Sequence, residues 1–283
     1  MKPHLPHSIH RQLTCILAML LSCLFPSILK ADNADDLAAK AQNPIASMIS
    51  IPLDTMIDFG ADNGTAVVST FQPVIPMTIG NWNFISRPML PIIYLEGAVS
   101  GLPSIPTVDK SAEHTDTFGL GDLNYSLFIS PAKSTGVTWG IGPSITIPTA
   151  TDDLLGSGKW SIGPTAVILV QPKPWTMGLL ARNLWDFAGD GDRAQVNQFM
   201  FQYFVNYNLD NGWYLTTDPI MTANWGQSSD NRWTIPVGGG IGRLFTIGEQ
   251  PINMRLRSYY NVDKPTGGAE WSLNFAVQLL FPK

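Results

Sequence analysis

Thiols and imidazoles are nearly missing from this chain. Its 283 residues hold two cysteines and four histidines, and Cys15, Cys23, His4, His7 and His10 all fall within the first 31. Beyond that point no cysteine remains, which excludes a disulfide framework and a thiolate metal site. His114 is the sole histidine left. No Gly-x-Ser-x-Gly elbow accompanies it, so a nucleophilic triad has little to be built from. Long apolar runs are missing too: after residue 31 no segment nears the ~18 consecutive apolar residues of a helical span. Positive charge is scarce. Three of the 17 Lys and Arg (Lys2, Arg11, Lys30) lie in the first 31 residues, which carry no acid; the remaining 14 face 22 Asp and Glu, a net charge of −8. A nucleic-acid partner, which needs a basic patch, is therefore not expected.

The N-terminus has its own character. Lys2 and Arg11 precede an apolar run from Leu13 to Leu29, broken at Pro26, and Ala31 is followed by acidic and polar residues. This pattern predicts a cleaved signal peptide over residues 1–31 and export through the inner membrane of a Gram-negative bacterium. An uncleaved anchor would need a longer, proline-free run. A lipoprotein signal at Leu20-Leu21-Ser22-Cys23 would not normally be followed by more apolar residues. Residues 32–48 are expected to form a periplasmic lead-in, either a short helix or a flexible segment.

What the rest of the chain has in abundance is alternation. Trp271, Leu273, Phe275, Val277, Leu279 and Phe281 are apolar, with Ser272, Asn274, Ala276 and Gln278 between them and Leu280 as the exception. Side chains of a strand alternate between two faces, so one face is oily and the other mostly polar. The same period recurs from residue 49 onward and predicts twelve strands: 49–59, 67–75, 82–94, 123–129, 139–147, 160–170, 175–181, 199–207, 213–225, 233–241, 252–261 and 271–281. Short turn-rich connections (80–81, 131–136, 171–174, 209–212, 247–251) alternate with mostly longer segments (60–65, 95–117, 149–158, 187–195, 226–231, 263–269). An even strand count with short turns at one end and long loops at the other is the signature of an all-β, transmembrane antiparallel up-and-down barrel in the outer membrane, over residues 49–283. Both termini then lie at the periplasmic end. All nine tryptophans sit near strand ends, where indole settles between hydrocarbon and headgroups. Prolines at 73, 88, 91, 143, 164, 219 and 236 predict either bulges in the wall or fewer strands.

If the oily parity faces lipid, the other parity places Asp54, Asp58, Arg87, Asp122, Arg182, Asp186, Asp218, Arg255 and Arg257 in the lumen. These are the candidate constriction residues. Arg255 and Arg257 form a small basic ladder, with Asp218 and Asp122 as candidate partners. Two readings stay open: the charges pair and plug the lumen, or they form a polar filter for a small solute. Asp152-Asp153 and the Gly189 to Asp192 stretch read as acidic surface loops rather than calcium sites. No cofactor or metal is expected. The partners expected are outer-membrane lipid, the barrel-assembly machinery and a small-molecule solute.

The stretches FGLGDLNYSLFISPAK (118–133), WGIGPSITIPTATDDLLGSGKWSIGPTAVILVQP (139–172) and NYNLDNGWYLTTDPIMTANW (206–225), with the Gly119-Leu120-Gly121-Asp122 unit, resemble a family of bacterial outer-membrane proteins. It is the transporter group named for the meta-pathway of phenol degradation, some members of which carry the label neuromedin U. The resemblance implies a barrel that passes small, aromatic or apolar compounds, and no catalytic residues. A closed structural or adhesive barrel and a lipid-modifying enzyme are the alternatives. The ending Phe281-Pro282-Lys283 departs from assembly signals that end on the aromatic itself.

Overall fold

The computed structural model describes residues 37–103, 105, 116–134 and 136–282. The predicted signal peptide, Cys15, Cys23 and His114 lie outside the described residues. Fifteen strand segments follow one another: β1 (Ile49–Ala61), β2 (Gly64–Phe71), β3 (Ile75–Ile79), β4 (Trp82–Glu96), β5 (Asp116–Leu120), β6 (Leu123–Pro131), β7 (Val137–Ile147), β8 (Lys159–Val170), β9 (Trp175–Gly189), β10 (Asn197–Asn208), β11 (Trp213–Thr217), β12 (Ile220–Asn224), β13 (Trp233–Ile247), β14 (Gln250–Asp263) and β15 (Trp271–Phe281). The pairs β2/β3, β5/β6 and β11/β12 are each one wall strand with a break, because both members pair with the same neighbour. Twelve antiparallel wall strands result. The barrel closes where β1 meets β15, in register from Ile49 opposite Phe281 to Phe59 opposite Trp271. Closure removes every free edge.

Proline explains the breaks. It cannot donate to the ladder. Pro73 and Pro219 sit in two of the gaps, and Pro236 marks a register shift between β13 and β14. Beside Pro219 the pairing with β13 skips from Thr216–Gly240 to Thr222–Thr234. Gln202 on β10 fills part of the gap by donating to the Asp218 carbonyl at 2.9 Å. The prolines thus bend a twelve-strand wall rather than lowering the count. The third break, at Gly121-Asp122, shifts the register against β4 by one residue.

Across the two proline breaks the alternation keeps its phase. At Gly121-Asp122 the one-residue shift moves the outward set from Phe118 and Leu120 to Leu123, Tyr125 and Leu127, so the oily side stays outside on both sides of it. Leu53, Ile79, Ile141, Ile168, Leu179, Leu215, Ile241 and Leu273 are all exposed on the outer wall. A soluble protein does not leave so continuous an apolar surface bare; a hydrocarbon layer covers it. Trp82, Trp139, Trp175 and Trp213 lie toward the turn end. Trp160, Trp185, Trp225, Trp233 and Trp271 lie toward the loop end. Within these belts Trp82 meets Trp139 edge-on at 6.3 Å and Trp225 meets Trp233 at 5.6 Å. The loop end has one short connection, Asp62-Asn63.

The inside is packed. Residues 37–41 form one helical turn, and residues 37–48 enter the lumen at the turn end. There Ala38, Ala41, Ala46 and Met48 pack against Leu244 and Leu280. Leu280, the one residue that broke the alternation of β15, is fully buried by this contact. Ile45 reaches further in, to Phe128, Val167, Leu169 and Phe204. Gln42 donates to Asn208 Oδ1 at 2.8 Å, and Gln171 to the Ala39 carbonyl at 2.7 Å. At the loop end Val99, Leu102 and Ile105 pack with Leu155 against Ile93 and Leu95.

Candidate functional site

Between those two apolar caps lies a polar layer halfway along the wall, and it is built from the inward parity of each strand. All nine candidate residues lie on that parity, but the structure sorts them into three groups.

The first is an ion-paired cluster. Arg257 on β14 is buried and donates from Nη1 to both carboxylate oxygens of Asp218 at 2.6 Å. Its Nη2 donates to Asp54 Oδ2 at 2.6 Å. Arg255 donates to Asp218 Oδ2 at 3.0 Å and lies 3.6 Å from Asp54 Oδ2. Tyr259 adds a hydroxyl donated to Asp218 Oδ1 at 2.9 Å and accepts the Asp218 N–H at 3.1 Å. The break at Pro219 is what exposes that N–H. Two carboxylates and two guanidiniums cancel, and short charge-assisted bonds of this kind are the strong ones. Asp54 was not among the partners the sequence suggested. It reaches Arg255 because both lie opposite Ala276 of the intervening β15, and alanine leaves the space between them free. Toward the turn end, Tyr214 donates to Asn253 Oδ1 at 2.6 Å, and Asn253 to Gln278 at 3.1 Å.

The second group is Arg87 on β4 and Arg182 on β9. Arg182 Nη1 donates to Asn124 Oδ1 at 2.7 Å, and Arg87 Nη2 donates weakly to Gln72 Oε1 at 3.4 Å. Asn124 in turn donates to Ser144 and Thr146, and Ser126 bonds Ser144 at 2.9 Å. Among the described residues, neither guanidinium has a carboxylate within ion-pair distance. Sequence reasoning did not single out Asn124, Ser126 and Ser144. Their even spacing on the inward parity of β6 and β7 was the available signal.

The third group is dispersed. Asp122 does not partner Arg255 or Arg257; it clamps the loop after β7 by accepting from Ser157 N at 2.7 Å, Ser157 Oγ at 2.9 Å and Ala150 N at 3.2 Å. The Gly121-Asp122 break turns its carboxylate toward that loop. Asp186 accepts the Val196 N–H at 2.8 Å. Asp58 is buried, and it lines a cavity of about 40 Å³ with Tyr259, Asn261 and Lys264. A second cavity of about 80 Å³ lies beside Gln198, Thr222 and Arg232. Both fall short of the ~150 Å³ that holds a benzene-sized guest.

Among solved structures, the COG4313 outer membrane channel from Pseudomonas putida F1 superposes with a TM-score of 0.61 at 17% identity, over 84% of this chain and 97% of that one. At that identity the likeness shows the fold. The Pseudomonas putida toluene transporter TodX (TM-score 0.43, 11% identity, 90% and 95% covered) and the Salmonella typhi outer membrane phospholipase dimer with bound calcium (0.42, 10%, 90% and 99%) are looser matches. No curated protein matches the sequence. A family model described as "Putative MetA-pathway of phenol degradation" matches residues 55–277. Because that match runs from the first wall strand to the last, the chain belongs to this family, as an outer-membrane β-barrel.

Proposed function

We propose that this barrel is a channel for passive passage of small apolar or aromatic molecules across the outer membrane of a Gram-negative bacterium, reached through a cleaved signal peptide. The observation that carries this reading is the inner wall itself. A water-filled porin lines its lumen with polar groups. Here Val74, Ile85, Val167, Leu180 and Phe204 form an apolar inner surface that continues from the turn end to the charged layer. Its family, described by phenol degradation, fits a solute of that polarity. Asp54, Asp218, Arg255 and Arg257, with Arg87 and Arg182, form the charged layer that such a solute must pass. The conformation described is closed, with Ile45 and its neighbours filling the turn end, so passage requires residues 37–48 to leave.

The test is uptake of radiolabelled toluene by cells whose lipopolysaccharide-covered outer membrane carries or lacks the protein, with single-channel recording alongside. Faster uptake with the protein is expected, and larger conductance after deletion of residues 37–48. Equal uptake, with no conductance in either form, would leave a closed structural barrel as the better reading.

A further inference from the structure

The lumen divides its charges unevenly. Asp54, Asp218, Arg255 and Arg257 neutralise one another on one wall. Across from them Arg87 and Arg182 point inward with only neutral partners, Gln72 and Asn124, among the described residues. The two converge on one stretch of β6: Arg182 bonds Asn124, and Arg87 stands in register with Ser126, the next inward residue. Their Nε atoms are shielded from solvent and have no acceptor. Half-buried cations without a counter-charge are costly to keep, since part of their hydration is lost with no carboxylate to replace it. Simple wall construction does not need them: inward Ser, Thr and Asn fill neighbouring positions at no such cost.

The surroundings define what would fit. Arg87 lies 5.9 Å from the Phe128 ring centroid. One inward position away toward the turn end stand Ile85 on β4 and Leu180 on β9, both in the apolar cluster with Phe128, Val74 and Val167. Beside Arg87, in register on β6, stands the hydroxyl of Ser126, bonded to Ser144. A ligand placed here meets cationic forks at one end and hydrocarbon at the other. Guanidinium forks match the two oxygens of a carboxylate, and an aromatic or aliphatic body suits the oily side.

We propose that Arg87 and Arg182 form a lumenal binding site for the carboxylate of a small organic acid with an apolar body. This deepens the channel reading by naming a substrate class, and rests on it only for transport. Arg255 and Arg257 do not serve, because their carboxylate partners are already in place.

The experiment is calorimetric titration of the folded, full-length barrel in detergent with benzoate, and with uncharged benzyl alcohol of the same shape. Wild type is expected to bind benzoate, and Arg87→Met and Arg182→Met to bind it at least about tenfold more weakly, as loss of a charge-assisted bond requires. The weaker binding of benzyl alcohol is expected to stay the same in all three. Absence of benzoate binding in wild type would overturn the site, as would unchanged affinity in both variants. Chloride competing as well as acetate would reduce it to a general anion site and overturn the organic-acid assignment. If a methionine variant does not fold, Arg87→Lys and Arg182→Lys replace it. They keep the charge but lose the fork, so affinity falls by about fivefold, and full affinity would overturn the geometry claimed. In planar bilayers benzoate is expected to interrupt the wild-type ion current. A protein that binds benzoate but never conducts would refute the channel and keep the site, while a conducting protein that ignores benzoate would do the opposite.

Discussion

The two walls of the lumen use the same residue differently. On the wall of β1, β11/β12 and β14, inward arginines meet two aspartates and a tyrosine, and the layer is neutral. On the wall of β4, β6 and β9, inward arginines meet amides and an aromatic face. The first arrangement locks wall strands together across β15 and across the Pro219 break. The second leaves charge unspent. The contrast shows that an inward charge in a barrel is read by its partners, not by its type: paired charge belongs to the frame, and the proposed solute site rests on the charge left unpaired.

The sharpest way to break this contrast is Asp218→Asn. It leaves Asp54 as the one carboxylate facing both Arg255 and Arg257, and a loss of about 3–5 kcal/mol is expected. The denaturant midpoint of the barrel folded in lipid checks this, and a change below about 1 kcal/mol would show that the cluster does not hold the wall. Next is Gly242→Ala on the paired wall, where a Cβ would overlap the Tyr214 ring. Displacing that ring strains the Tyr214–Asn253–Gln278 chain, at an expected cost of about 1–3 kcal/mol, read from the same midpoint. The opposite sign is expected on the other wall. Arg182→Met removes an unpaired cation at similar volume, so the midpoint should rise, by an amount on the order of 1 kcal/mol. A clear fall would mean that Arg182 is structural after all. The smallest effect is expected from Trp225→Leu at the loop-end belt. The loss there is on the order of 1 kcal/mol, because an indole packed edge-on against Trp233 is exchanged for another apolar side chain. It should leave the benzoate titration unchanged.

Much of the fold was readable from alternation. A strand whose faces meet two different solvents must show period two, and twelve such segments could be counted without knowing their neighbours. Pro73 and Pro219 were visible as anomalies, but their meaning was not: only the phase of alternation on both sides, preserved in the folded wall, distinguishes a kink from a strand end. Leu280 was an exception for a reason no local window contains, since its partners are Ala38, Ala41 and Met48, far away in the chain. The Arg255 and Arg257 ladder and its partner Asp218 were anticipated from parity. Asp122 was offered on the same grounds but is held by Ser157 and Ala150 instead. Parity gives the face of a residue and nothing about its height or its opposite number.

The sequence by itself determined which side of each strand faces lipid, where the aromatic belts fall and which charges turn inward, because these depend only on each residue's preference for its solvent. Closure of the sheet decided which of those charges meet. Asp54 and Arg257 are about two hundred residues apart and become neighbours only when β1 docks on β15. Coulomb attraction and hydrogen bonding act through space at a few ångströms, so the pairing that separates a neutral wall from a cationic one exists only in the finished cylinder.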